Sequence, residues 1–277
     1  MTICVGAISK NSNAAEQYAL VASDRMVTLS LPSIEWEQNV SKTLPISDNC
    51  VAATAGSAIA FTEILRNAKP KINGLKKKNI AEIVDIIRQE YNEARLKKIE
   101  EDILSKIGLT LKTFYEGNQV ISPQIVQTVM DAMAKFNYGL SILIAGVDDS
   151  GAHIYRIDNP ARADCFDSIG YCAIGSGDLH ALTTFIANDY DPNLDLNHVC
   201  AMTYESKKRS EKAQGVGEKS DLYIICDSRV VKMPSDAIEK LDSIYLMRAE
   251  QEKKVVADIQ NEIEKLDIEK IEKNGRV

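Results

Sequence analysis

The apolar residues of this chain change their spacing in long blocks, in the order strands, helices, strands, helices, strands, and that order restricts the fold more than any single motif does. Ile3 to Ser9 and Tyr18 to Ala22 are apolar runs around the polar tip Lys10-Asn11-Ser12-Asn13, which makes them a candidate hairpin. Cys50 to Thr54 is a third extended run, following the polar segment Asn39 to Asp48 and ending at the small residues Ala55-Gly56-Ser57. Helical spacing then takes over. It predicts a helix over Ala58–Ala68, a long amphipathic helix over about 79–107 from Ile80, Ile83, Ile87, Tyr91, Ile99, Ile103 and Ile107, and a third helix after the N-cap pair Ser122-Pro123. Strands return at Leu140–Val147 and His153–Ile157, joined by the turn Asp148-Asp149-Ser150-Gly151. Helices over Asp178–Asn188 and Asn197–Lys212 follow, then a hairpin of Leu222–Cys226 and Val230–Met233 around Asp227-Ser228-Arg229. Blocks in this order predict an α+β fold with helices segregated onto antiparallel sheets, and two sheets between two helical layers accommodate it.

From Ser235 to Val277 charges alternate with Ile244, Leu246, Val255, Ile259, Ile263 and Leu266, and glycine is absent until Gly275, so a helical extension with a seam for a partner helix is expected there. With 277 residues and 45% hydrophobic content the rest suffices for one large domain, residues 1–234. The formal charge of −7, from 33 basic and 40 acidic residues, argues against nucleic acid and anionic membranes as partners. The longest apolar stretch, Leu140 to Val147, is less than half a bilayer span, and no cationic-then-apolar leader opens the chain, so a soluble cytoplasmic protein is expected. The six cysteines lie far apart, mostly within apolar runs, and read as reduced core residues. The three histidines, His153, His180 and His198, have no neighbouring His or Cys at a chelating spacing. No metal and no cofactor is therefore expected, a Ser-His-Asp triad is disfavoured, and a general base must come from elsewhere. Gly215-Val216-Gly217-Glu218-Lys219-Ser220 looks like a phosphate loop, but Glu218 interrupts the required Gly-Lys-Ser.

Thr2 offers that base. Removal of an initiator methionine favours small second residues, so the mature chain is expected to begin at Thr2. A terminal threonine carries a nucleophilic hydroxyl and, in its α-amino group with a pKa of about 7.7 to 8.0, a proton acceptor for it. The apolar run Ile3-Cys4-Val5 mounts Thr2 at the start of a core strand, and the hairpin partner returns at Ala22-Ser23-Asp24-Arg25, which brings Asp24 back toward the chain start. A carboxylate alone would raise the amine pKa and an ammonium lower it, so the site wants both, and Lys42 is the candidate cation.

Thr2-Ile3-Cys4-Val5-Gly6, then Ala22-Ser23-Asp24-Arg25 with Thr28, then Ser41-Lys42, then Ala55-Gly56, resembles the active-site half of proteasome β subunits and their bacterial relatives, which are N-terminal nucleophile hydrolases. Leu140 to Val147-Asp148, Ile154-Tyr155-Arg156-Ile157-Asp158, Ile174-Gly175-Ser176-Gly177 and Ser220-Asp221-Leu222 extend the resemblance over most of residues 2 to 234. It implies a four-layer αββα sandwich. It further implies Thr2 as nucleophile and proton acceptor, Asp24 and Lys42 as the charged pair beneath it, Ser176 as the serine beside the threonine amine, and the Gly56 N–H as oxyanion donor. Thr28 would lie along the substrate strand, and Thr54 and Ala58 at a pocket for the side chain preceding the cut.

The chain also departs from the family. The second acidic position, followed three residues later by serine, has no counterpart between Lys207 and Ser220, where Glu211 is the nearest acid. A helical stretch from about 76 to 115 and the tail 235–277 are additions. The resemblance thus implies a threonine peptidase acting on peptides or proteins after loss of Met1, enclosed in a homo-oligomeric ring, with room for an unfolding ATPase as partner. Two alternatives are a small-molecule amidase with the same nucleophile and a non-catalytic assembly subunit.

Overall fold

The computed structural model describes residues 2–10, 16–30, 33–39, 41–117, 121–226 and 228–264, with the side chains of residues 28–30 and 33 left out. Met1, the hairpin tip Asn11-Ser12-Asn13, Asp227 and Leu266, on which sequence expectations fall, lie outside the described residues. The chain divides into two compact units, Met1–Met233 and Pro234–Val277.

The first unit opens with six strands: β1 (Ile3–Ser9), β2 (Tyr18–Asp24), β3 (Met26–Ser30), β4 (Ser33–Glu37), β5 (Thr43–Ser47) and β6 (Cys50–Gly56). Helices α1 (Ala58–Asn73), α2 (Ile80–Ile99), α3 (Leu111–Gly117) and α4 (Pro123–Lys135) follow. Then come β7 (Leu140–Asp148), β8 (Gly151–Asp158), β9 (Arg162–Cys165), β10 (Tyr171–Gly175), α5 (Asp178–Ala187), α6 (Leu196–Ser210), β11 (Ser220–Cys226) and β12 (Arg229–Lys232). They form an antiparallel sheet in the order β10-β1-β2-β11-β12, a second in the order β5-β6-β7-β8-β9, and the separate hairpin β3-β4. Mixed helix and antiparallel strand in these blocks make an α+β fold.

Strand alternation decides what each sheet face meets. Cys4 and Ile8 of β1 and Val21 of β2 share one buried cluster with Val51 and Ala53 of β6 and Leu143 of β7, so the two sheets pack on each other. The opposite face of the second sheet, through Cys50, Ala52, Ile142 and Ile144, packs on Phe61 and Ile64 of α1 and Ile83, Ile87 and Tyr91 of α2. Helix α6 lies against β1 and β2, and α5 against β10. Each fully buried aliphatic side chain in these clusters stabilises the fold by about 1.5–3 kcal/mol.

Several expectations need correction. Helical winding does run from residue 80 to 107, but it leaves the α form after Ile99, passing through a π turn over Glu100–Leu104 and a 3-10 turn over Ser105–Ile107, and Gly108 ends it in the left-handed region. Helix α1 continues beyond Ala68 to Asn73 with Pro70 inside it, although Pro70 has no N–H to give to the helical ladder. The segment taken as polar, Asn39 to Asp48, contains β5. Four cysteines (Cys4, Cys50, Cys172 and Cys200) are buried thiols, whereas Cys165 is exposed and Cys226 half-buried, and all six are free.

In the second unit, α7 spans Ser235–Glu264 with no buried residue, and Ile244, Leu246, Val255, Ile259 and Ile263 are each about half exposed. Among the described residues no helix is long and apolar enough to cross a membrane.

Candidate active site

Three strand ends bring charged groups to one point. Antiparallel register sets Ile3 opposite Gly175 and Cys4 opposite Ser23, so Thr2, one residue before β1, and Asp24, at the end of β2, come together at one end of these two central strands. Lys42 precedes β5 of the second sheet, and its carbonyl accepts the Thr54 N–H at 3.3 Å, which ties it to β6. Thr2 Oγ donates its proton to Asp24 Oδ1 and accepts from Lys42 Nζ. Lys42 Nζ also donates to Asp24 Oδ1 at 2.7 Å, and Asp24 is fully buried. Such a carboxylate is stable only if its lone pairs are filled. Here Oδ1 also accepts the Ile3 N–H at 3.1 Å, and Oδ2 accepts the N–H groups of Met26 and Gly217, both at 3.0 Å.

The remaining expected residues surround Thr2 to differing degrees. The Thr2 N–H donates to Ser176 Oγ at 3.2 Å, and Ser176 Oγ in turn lies 3.3 Å from both Thr2 O and Gln214 O. Gly56 ends β6 at φ +109°, and a Cβ there would stand 2.1 Å from the Gly139 carbonyl oxygen, so only glycine lets the chain pass. Thr2, Gly56, Ser176, Asn137, Ser141 and Asp158 line part of one groove of about 510 Å³. Thr54 and Ala58 are not among its lining residues. Thr54 is buried on the helix-facing side of β6 with its Oγ1 unpartnered, and Ala58 is exposed at the start of α1. Thr28 is on β3 opposite Glu35, and its side chain lies outside the described residues.

The nearest competing nucleophile is inert. Burial pushes the Cys4 thiol up to about 12, Lys42 offsetting only part of this, and its Sγ–H donates to Thr54 O at 3.3 Å. Beneath the end of β2, Asp221 is held by Arg25 through Nε–H at 3.0 Å and Nη2–H at 2.6 Å, and by Lys232 at 2.7 Å. Burial alone would raise the Asp221 carboxyl, but these bonds, with one from Ser41, keep it below the usual carboxylate range.

Sequence reasoning missed two supports. Both Oδ2 donors to Asp24 are backbone N–H groups, which no side-chain pattern announces. Lys207 of α6 sits in the run Lys207-Lys208-Arg209, an apparent solvated face, yet its side chain is fully buried. The spacing Val199, Thr203, Lys207 was the available signal, since residues four apart share a helix face. Glu211, the nearest acid between Lys207 and Ser220, bonds Lys207 at 2.5 Å and Lys208 at 3.0 Å.

A larger cleft of about 680 Å³ lies at the turn end of β7 and β8, lined in part by Asp148, Ser150 and Arg229. There Ser150 Oγ is 2.8 Å from His153 Nε2 and His153 Nδ1 is 2.6 Å from Asp167, the serine, imidazole and acid of a triad. The hydroxyl, however, donates to Asp148 at 2.5 Å, and hydrogen bonding to Asp167, with Asp148 close by, raises the His153 pKa against the effect of burial. Two carboxylates thus face the pair, which opposes a negative charge on the hydroxyl, and these contacts staple the turn. Among the described residues no group of three or more His, Cys, Asp or Glu side chains is placed to hold a metal.

No curated protein matches the chain. The model of the proteasome subunit family matches residues 79–225, from α2 through β11, a span that includes Ser176 and Lys207 and begins after Thr2, Asp24, Lys42 and Gly56. The match covers more than half of the 277 residues, and the chain belongs to the proteasome subunit family.

Proposed function

We propose that this chain is a threonine peptidase whose nucleophile is Thr2 Oγ once the peptide bond before Thr2 is cleaved. The reading is carried by one observation: the same oxygen that would attack is bonded to both members of a buried ion pair, Lys42 and Asp24. The Lys42 ammonium favours the developing alkoxide, and Asp24 fixes that ammonium and orients the hydroxyl. The freed Thr2 amine accepts the proton and later delivers it to the leaving amine. Because that amine stands beside Ser176, the leaving side of the substrate would lie on the Ser176 flank, and Ser141 and Asp158 in the same groove offer it polar contacts. The Gly56 N–H is the proposed oxyanion donor, and Thr28, Thr54 and Ala58 the proposed contacts for the side before the cut.

The packing of α1 and α2, the two sheets, and α5 and α6 supports an αββα sandwich of four layers for residues 1–234, with 76–115 as a helical insertion and 235–277 as an extension. A reactive terminus in the cytoplasm calls for enclosure, and the exposed apolar residues of α7 suit contacts within a homo-oligomeric ring. One observation favours a second reading, a non-catalytic assembly subunit: Glu211, the acid nearest the family's second acidic position, is bound to Lys207 and Lys208.

Intact mass of the purified chain and hydrolysis of a fluorogenic peptide panel, with simple amides in parallel, test the proposal. Loss of Met1, peptide turnover, and a fall of about a thousandfold or more in Thr2→Ala are expected. Turnover confined to simple amides would mean an amidase, and activity unchanged in Thr2→Ala would end the mechanism.

A further inference from the structure

Helix α6 buries an unusual polar face. Thr203, Ser206, Lys207 and Ser210 are all fully buried, on a helix packed against β1 and β2. A lysine without exposure loses its hydration, and burial lowers its pKa, Glu211 offsetting part of this, so every ammonium proton needs an acceptor. Lys207 Nζ has three: Glu211 Oε1 at 2.5 Å, Gly217 O at 2.9 Å and Glu218 O at 2.8 Å. Two of the three are backbone carbonyls of one loop, so the cation grips the chain between α6 and β11 from inside.

That loop is the one that reaches Asp24. The Gly217 N–H donates to Asp24 Oδ2 at 3.0 Å, and its backbone passes so close to β3 and β4 that a Cβ would stand 2.4 Å from Glu37 Oε1 and 3.1 Å from Met26 Cβ. The Lys219 N–H is held by Glu37 Oε1 at 2.8 Å. The peptide planes on both sides of the Gly217 Cα are thereby bonded, one to Asp24 and one to Lys207. One turn further along α6, Ser210 Oγ lies 2.7 Å from Ser206 O and 3.0 Å from Gly177 O, beside Ser176. The last turn of α6 thus touches the supports on both flanks of Thr2.

We propose that Lys207 is a positioning residue for the reaction at Thr2: from the interior of α6 it holds the Gly217 N–H on Asp24 Oδ2 and so sets the charge pair beneath the nucleophile. This rests on the peptidase reading above. It also gives the chain its own answer to the missing second acid, a buried cation working through a loop.

The test uses the full chain as wild type, Lys207→Met, which keeps the volume and removes the charge, and Lys207→Arg, which keeps the charge. A peptide vinyl sulfone is reacted with each, the modified residue is located by mass spectrometry, and the second-order rate is followed from pH 5 to 9 beside a thermal melt. Lys207→Met is expected to label Thr2 about 10- to 100-fold more slowly, with a displaced pH midpoint, the scale expected for small misplacement of a reacting group. Lys207→Arg is expected to recover part of both. A lowered melting point with rate and pH midpoint within twofold of wild type would overturn the proposal and leave Lys207 a loop staple. If Lys207→Met does not fold, Glu211→Gln, which removes the countercharge and keeps the shape, is read the same way, and an unmoved pH midpoint overturns the proposal. Absence of Thr2 labelling in the wild type would instead overturn the peptidase reading.

Discussion

Asp24→Asn removes one charge and adds no heavy atom, so its cost can be worked from the bonds Asp24 makes. All five partners are donors: the Thr2 hydroxyl, Lys42 Nζ and the Ile3 N–H on Oδ1, and the Met26 and Gly217 N–H groups on Oδ2. An asparagine amide offers one oxygen and one NH2, so whichever way it turns, one set of donors faces another donor. With the oxygen kept toward Thr2, two buried N–H groups lose their acceptor at about 1–3 kcal/mol each. Lys42, only 10% exposed at its side chain, also loses its counter-ion, and breaking a buried pair costs about 3–5 kcal/mol. These terms overlap, because both arise from one lost charge, so about 4 kcal/mol is expected for the whole. For a domain of this size each kcal/mol moves Tm by about 2–4 °C, which gives a fall of about 8–16 °C. The assay is thermal unfolding followed by near-ultraviolet circular dichroism, which reports aromatic packing in the sheet core. Asp149→Asn is the control: its partner Lys77 and Asp149 itself are both more than 80% exposed, and Tm should not move. A loss below about 1 kcal/mol in Asp24→Asn would refute the accounting, since the carboxylate could then not be the shared acceptor of five donors.

Gly56→Ala places a Cβ 2.1 Å from Gly139 O at φ +109°, so strain and overlap together should cost at least about 2 kcal/mol and abolish Thr2 reactivity; a variant that melts and labels like wild type would refute this. The His153 pKa is raised in the folded state, chiefly by Asp167, so its contribution is complete below the unfolded value of about 6.5 and fades as pH rises through the folded value. The stability gap between wild type and His153→Gln, measured by urea titration, should therefore narrow on going from pH 6 to pH 9, and a gap that widens would reverse the assignment.

Strand order and the helical blocks were legible because period-2 and period-3.6 patterns are local. So was the meeting of Thr2 with Asp24, for a hairpin with Cys4 opposite Ser23 fixes what lies one residue beyond. β5 was not legible. Thr43-Leu44-Pro45-Ile46-Ser47 carries a proline that argues against a strand, yet β5 is the edge of its sheet, where a missing donor is tolerated. The loop from Gly215 to Lys219 was legible only as an irregularity, because its contribution to Asp24 is a backbone N–H. A lysine inside a run of three cations gives no sign of its burial by composition, and only the helical spacing through Thr203 separates Lys207 from Lys208.

Ser150 and Thr2 each hold a hydroxyl in a chain of hydrogen bonds to ionisable groups, and they differ in the charge that surrounds it. At Ser150 two carboxylates, Asp148 and Asp167, flank one imidazole, so negative charge predominates around the hydroxyl. At Thr2 one carboxylate is shared between the hydroxyl and an ammonium, and five donors saturate it, so the charge of Asp24 is balanced and the ammonium bonds the oxygen directly. An oxygen in the second setting is favoured as it becomes negative, and one in the first is not. The charges within hydrogen-bond reach favour Thr2 over Ser150, in agreement with the preference that the scarcity of histidine gives from residue type alone.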